Sequence, residues 1–164
     1  MEPVDASYPL FSVLIPSYNR REILWCCLQA LARQTLPKEQ FETIVVDDGS
    51  TDGTSAVLES WQKQSPYAFR FFQQENRKQG AARNLGARHA KGRYLLFLGD
   101  DILATESLLE EHQRFHQSYG SSADIAVLGY IRWSPEIKAT RFLAASLISS
   151  RVKGLFLMFI LPTF

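Results

Sequence analysis

Tyr94-Leu95-Leu96-Phe97-Leu98-Gly99-Asp100-Asp101 decides how the rest of the chain is read: an apolar run that stops at two adjacent carboxylates. Five large apolar residues between Gly92 and Gly99 are too few for a typical helix and suit a strand buried on both faces, as in a parallel sheet. Open α/β sheets bind ligands in the crevice beyond the carboxyl ends of their strands. Two acids at that point offer paired hard oxygens, which suit Mg²⁺ or Mn²⁺ with a phosphate completing the shell. The same residues also fit a solvated turn in which Asp101 or Thr105 caps the next helix.

Working back toward the amino end, residues 11–15 read as a first strand between Pro9 and Pro16. Asn19 then caps a helix, with Glu22 reaching back to it, and Ile23, Cys27 and Leu31 beside Leu24, Leu28 and Ala32 give that helix one apolar face. Residues 41–46 form a second, β-branched strand that runs into Asp47-Asp48-Gly49-Ser50-Thr51-Asp52-Gly53-Thr54. Gly49 and Gly53 permit turns, and Ser50, Thr51 or Asp52 can cap the helix carrying Val57, Leu58 and Trp61. An acid at such a strand end can accept hydrogen bonds from a base or a ribose, or it can simply brace the loop. Residues 69–73 make a third strand near an edge. Gly80, Ala81, Ala82, Gly86 and Ala87 then stud a helix able to approach another backbone closely, with Arg83 in reach of a pyrophosphate at the helix amino terminus.

Working forward, Thr105 caps a helix running to Tyr119 with Leu108, His112 and Phe115 on one face. His112 and His116 are four apart but lack a glutamate-flanked zinc signature, and they read as partly buried ordinary histidines. Residues 123–128 supply a further β-type run, and 132–151 look helical and mixed. The end, 154–164, is almost wholly apolar. A bilayer span needs about 20 apolar residues, and Arg151 and Lys153 interrupt the run upstream. It suits a buried strand, a peripheral membrane contact or, as favoured here, a truncated element.

Alternating strands and helices predict an α/β fold: a single open, mainly parallel sheet with helices on both faces. Residues 1–9 read as a tail, 10–131 as the domain and 132–164 as an irregular or helical segment. At 164 residues, 46% hydrophobic and 21% charged, the chain has the composition of an ordinary globular domain. A net charge of +1 gives no reason to expect nucleic acid as a partner. Locally, however, Arg77, Lys78, Arg83, Arg88, Lys91 and Arg93 occur with no acid among them, which makes a basic solvated face or serves a phosphate. Cys26 and Cys27 are adjacent in a helical pattern and point apart, which argues against a disulfide and for the reducing cytoplasm. Residues 1–9 are short and polar and are not expected to act as a signal peptide.

Taken together, residues 11–20, 44–54, 80–86 and 97–102 resemble, in order and spacing, the family 2 glycosyltransferases of GT-A-type, Rossmann-like fold. The resemblance implies a transferase that moves a sugar from a nucleoside-diphosphate donor, UDP- or GDP-linked, to a hydroxyl of a glycan, lipid or other acceptor, with inversion. It implies that Pro16, Ser17 and Tyr18 line the nucleoside pocket and that Asp48 contacts the base. Asp100 would approach the ribose or donor sugar, and Asp101 would ligate Mn²⁺ or Mg²⁺. Gly99 stands where the family commonly has another Asp. The family's general base lies well downstream in an acceptor-binding half, and Asp124 and Glu136 are the only acids after residue 119, so that half is expected to be missing and the base is unidentified. Cytoplasmic location, reaching the inner face of a membrane, goes with this reading. The alternative is a non-catalytic nucleotide-sugar-binding module or fragment. A nucleotidyltransferase would need a glycine- and lysine-bearing phosphate loop after the first strand, where this chain has Pro16-Ser17-Tyr18-Asn19-Arg20-Arg21.

Overall fold

The computed structural model describes residues 8–119, 126–133 and 158–160. Apolar runs bounded by glycine, proline or turn residues become strands β1 (Phe11–Ser17), β2 (Phe41–Asp47), β3 (Ala68–Gln73) and β4 (Tyr94–Phe97). They pair in the order β3-β2-β1-β4, every pairing parallel. Helices α1 (Arg21–Ala32), α2 (Thr54–Gln64) and α3 (Lys78–His89) follow the first three strands, and α4 (Leu108–Tyr119) comes after β4. This is the expected α/β fold on an open parallel sheet.

The period of two along β1 and β2 sends alternate side chains to opposite faces. Phe11, Val13, Ile15, Phe41 and Val45 meet Leu24, Leu28 and Leu31 of α1, Leu58 and Trp61 of α2, and Leu108 and Leu109 of α4. Burying each such side chain is worth roughly 1.5–3 kcal/mol. Leu14, Ile44 and Val46 face the other way, toward α3. A Cβ on Gly86 would already lie 3.5 Å from Leu14 and Val46, so the small residues of α3 serve to seat the helix on the sheet. Gly92 is needed for a similar reason, because any side chain there would run into the backbone of Phe11 and Ser12 where β4 joins β1.

Several expectations change. Residues 94–98 do not form a strand buried on both faces: among the described residues β4 is an edge strand, with Leu95 and Phe97 44% and 51% exposed. The apolar run is the same for a central or an edge strand, and α3 covers β1 and β2 but not this side of β4. The sheet is also not single. Strands β5 (Ile102–Ala104), β6 (Ile131–Trp133) and β7 (Met158–Ile160) make a second one, in which β7 pairs antiparallel with β5 and parallel with β6. β7 thus uses part of the apolar end as a strand, and β6 crosses the expected boundary at residue 131. Of the expected strand at 123–128, residues 126–128 are not in a strand and 123–125 lie outside the described residues, as do 134–151 of the expected helical stretch. Helix α4 draws its cap from a distant residue: Gln34 Oε1 accepts from the Leu109 amide at 3.0 Å, and Gln34 Nε2 donates to the Thr105 carbonyl at 2.6 Å. Among the described residues, no helix is long and apolar enough to cross a membrane.

Candidate functional site

Strand β1 outlasts β4. Their register joins Phe11 to Tyr94 and Leu14 to Phe97, so Ile15, Pro16 and Ser17 run on beyond the end of β4. The chain leaving β4 turns back, with the Ile102 amide donating to the Gly99 carbonyl at 3.3 Å, and this turn sets Asp100 beside Ser17. Ser17 Oγ donates to Asp100 Oδ2 at 2.8 Å. Arg20 Nη1 donates to Asp100 Oδ1 at 3.2 Å and to Asp101 Oδ2 at 3.0 Å, so one guanidinium nitrogen bridges both carboxylates. Burial pushes the Asp100 carboxyl above the ordinary 3.8; Ser17 and Arg20 oppose the rise and Asp101 adds to it. Beneath them Cys27 is fully buried, and burial together with the two aspartates pushes its thiol far up, which excludes it as a nucleophile.

Gly99 has a local consequence. A Cβ there would come within 2.7 Å of Asp101 Oδ1, so with glycine in place the Asp101 carboxylate folds back over the turn.

Across the cleft stands Asp48. Its Oδ1 accepts from Gln74 Nε2 at 2.6 Å and the Arg77 amide at 2.8 Å, and its Oδ2 accepts from the Lys78 amide at 2.8 Å. Lys78 takes up a left-handed φ of 70°, uncommon for a residue with a side chain. Gly49 lets the two loops come this close, since at φ +83° its missing Cβ would sit 3.0 Å from the Asn76 amide nitrogen. Asp47 braces its own loop, accepting from the Ser50 amide at 3.0 Å and Ser55 Oγ at 3.3 Å.

The turn after β1 and the loop after β2 are clasped together. Asn19, in the left-handed region at φ 52°, accepts from the Thr51 amide at 2.7 Å, and its own amide donates to Ser50 Oγ at 2.8 Å. The predicted Asn19–Glu22 capping box is therefore not formed. Asp52 Oδ2 instead accepts from the Arg21 amide at 2.9 Å and caps α1, while its Oδ1 accepts from the Thr54 amide at 3.0 Å and caps α2. Burial works against the charge on Asp52, but the bonds from Thr54 and the Arg21 amide outweigh it and hold the pKa below 3.8.

These pieces enclose a cleft of about 440 Å³ at the carboxyl edge of the parallel sheet, within the range of small-ligand sites. Pro16, Ser17, Tyr18, Asp48 and Asp100 line it, as do Arg20, Asn76, Lys78, Gln79 and Gly80. Asp101 is not in the lining and reaches the cleft only through Arg20. Arg83 is exposed farther along α3 and outside the lining; Lys78, Gln79 and Gly80, in the first turn of that helix, take the place expected for it. Arg20 follows directly on Tyr18-Asn19, and that adjacency was the available signal for it. Among the described residues, no three His, Cys, Asp or Glu side chains gather into a ready-made metal site. The Asp100–Asp101 pair nevertheless fits a hard divalent ion, because two carboxylates already converge on one cationic nitrogen. A second cavity, about 470 Å³, lies beside β4 among Phe11, Tyr94, Leu96, His112 and Val127. There His116 stacks on Tyr94 with ring centroids 4.0 Å apart, so the two histidines are packing residues.

The family described as Glycosyl transferase family 2 matches residues 12–157. Validoxylamine A glucosyltransferase of Streptomyces hygroscopicus subsp. jinggangensis is 42% identical over 116 residues, covering 68% of this chain and 28% of the relative. The crystal structure of Staphylococcus aureus TarS 1-349 in complex with UDP-GlcNAc superposes with a TM-score of 0.65 at 29% identity, covering 76% of this chain and 34% of that one. The mannosyltransferase PcManGT from Pyrobaculum calidifontis, in complex with GDP-Man and Mn²⁺, gives 0.67 at 25% identity, with 80% and 38% covered. The match spans less than two thirds of such relatives' own length, from 13% of one, the minor teichoic acid biosynthesis protein GgaB of Bacillus subtilis, to 35% of another, the glycosyltransferase AglE of Haloferax volcanii.

Proposed function

The chain belongs to glycosyl transferase family 2, and from that premise we propose that it binds a nucleoside-diphosphate sugar in the cleft between Asp48 and Asp100 and serves transfer of the sugar to an acceptor hydroxyl. The observation that carries this reading is the meeting of Pro16, Ser17, Tyr18, Asp48 and Asp100 in one cleft at the carboxyl edge of the sheet. UDP-GlcNAc in one solved relative and GDP-Man with Mn²⁺ in another support a UDP- or GDP-linked donor and a divalent ion. Two unpaired cysteines accord with a reducing cytoplasmic setting.

In this reading Tyr18, half exposed at the rim, offers its ring to the base. Asp48 is held rigidly by its three donors and accepts from a base N–H. Asp100, turned inward by Ser17, accepts from a ribose or sugar hydroxyl. Lys78 and the first amides of α3 face the diphosphate, in the role expected of Arg83. Asp101 holds Mn²⁺ or Mg²⁺, which when bound neutralises charge developing on the leaving diphosphate. Transfer with inversion also needs a base on the far side of the sugar. Among the described residues, Asp48 and Asp100 are the only carboxylates lining the cleft, and both are already hydrogen-bonded. Asp124 and Glu136 lie outside the described residues. This favours, as a second reading, a module that binds the donor without turning it over.

A thermal-shift panel of UDP, GDP, dTDP and CDP, each with and without Mn²⁺, tests the assignment. A true ligand at about 100 times its Kd adds about 2.7 kcal/mol. No shift with any nucleotide would reject the donor site. Sugar transfer or donor hydrolysis separates the enzyme from the binding module.

A further inference from the structure

Arg20 sits against both carboxylates of the Asp100–Asp101 pair. Its Nη1 lies 3.0 Å from Asp101 Oδ2 and 3.2 Å from Asp100 Oδ1, and its side chain also lines the cleft. A divalent ion held by Asp101 would compete with that nitrogen for the Asp101 carboxylate and would be repelled by its charge. The two cations therefore exclude each other. The guanidinium has an evident alternative partner, because only its Nη1 is engaged by the two carboxylates, whereas its planar fork matches the oxygens of a diphosphate. The Arg20 side chain is one-third exposed and lines the cleft, so a ligand there can reach it.

We propose that Arg20 is a positioning residue that acts as an internal counter-ion: it occupies the Asp100–Asp101 pair in the free protein, blocks the divalent ion, and yields the pair when a donor diphosphate takes up the guanidinium. Ion and donor then bind interdependently, each raising the affinity for the other by the same factor. The inference rests on the proposed role of Asp101 in holding the ion.

The test is Mn²⁺ binding to the 164-residue chain without nucleotide, followed by the electron paramagnetic resonance signal of free Mn²⁺, in the wild type, Arg20→Gln, Arg20→Met and Asp101→Asn. Removing the guanidinium is expected to tighten Mn²⁺ binding at least tenfold and to shrink the enhancement of Mn²⁺ affinity by UDP or GDP by a similar factor. A merely structural Arg20 would weaken ion binding on removal, the opposite sign. Arg20→Met keeps the packing of the stem, so it carries the test if Arg20→Gln does not fold. Equal or weaker Mn²⁺ binding in the folded Arg20 variant overturns the counter-ion, even if Asp101→Asn abolishes ion binding and leaves the metal assignment standing. Wild-type Mn²⁺ affinity in Asp101→Asn removes the metal assignment itself, and the counter-ion with it.

Discussion

The two ends of the parallel sheet both bury carboxylates, and they treat them in opposite ways. At the amino end Glu42 accepts from Ser12 Oγ at 2.7 Å, the Lys91 amide at 2.7 Å and Arg70 Nη2 at 2.6 Å. Burial works against its charge, but those bonds outweigh it and hold the pKa below the ordinary 4.5. At the carboxyl end Asp100 and Asp101 share one nitrogen of Arg20, and Asp100 is pushed the other way. One carboxylate is saturated by the fold; the other pair is left short of positive charge. The amino end thus anchors the fold, and the carboxyl end keeps carboxylate charge in reserve beside the cleft.

Glu42→Ala should break that contrast at its stable pole. Removing one partner of a buried ion pair costs about 3–5 kcal/mol, read by urea unfolding at pH 7. A loss below about 1 kcal/mol, the range of a surface pair, would mean that the amino end is not the anchor claimed.

Acid should act next. Burial, with His116 nearby, pushes His112 down from 6.5 to about 4. The contribution of the neutral ring is therefore complete above pH 6.5 and fades as the pH falls toward 4, a loss on the order of 3 kcal/mol. Glu42, with its pKa lowered, adds a loss that begins below 4.5. Unfolding free energies of the wild type and His112→Gln across pH 4 to 7 should differ in slope over that window. Parallel curves would remove His112 from the account.

Asp52→Ala sharpens the picture within the carboxyl end, since Asp52 caps two helices while standing outside the cleft lining. About 1–2 kcal/mol should be lost by thermal unfolding. Asp100→Asn is the smallest effect and has the opposite sign. Relieving a crowded charge should leave stability unchanged or raise it by about 1 kcal/mol, while nucleotide binding falls. A clear loss of stability in that variant would make Asp100 a second Glu42 and erase the contrast.

Much of this organisation is legible in the chain, because strand runs, turn glycines and small helical residues act locally. Gly86 and Ala82 predict a close helix, and α3 packs through them. What escapes the sequence is supplied from far away. Tyr94 to Leu98 reads the same whether or not a strand lies beyond it, so its edge position is invisible. The caps of α1 and α4 come from Asp52 and Gln34, whereas a local pattern sees only neighbours such as Asn19 or Thr105. Arg83 and Lys78 look equivalent in composition, and only the direction in which α3 runs separates them. Arg20 reads as one more surface cation until the fold brings it to Asp100, eighty residues away.

The clasp between Asn19, Thr51 and Asp52 bears on any attempt to re-engineer this edge of the sheet. The stretches 16–21 and 47–54 hold one another, so a grafted loop from a relative would arrive without its mate. Swapping both together as one cassette keeps each partner of the clasp in place.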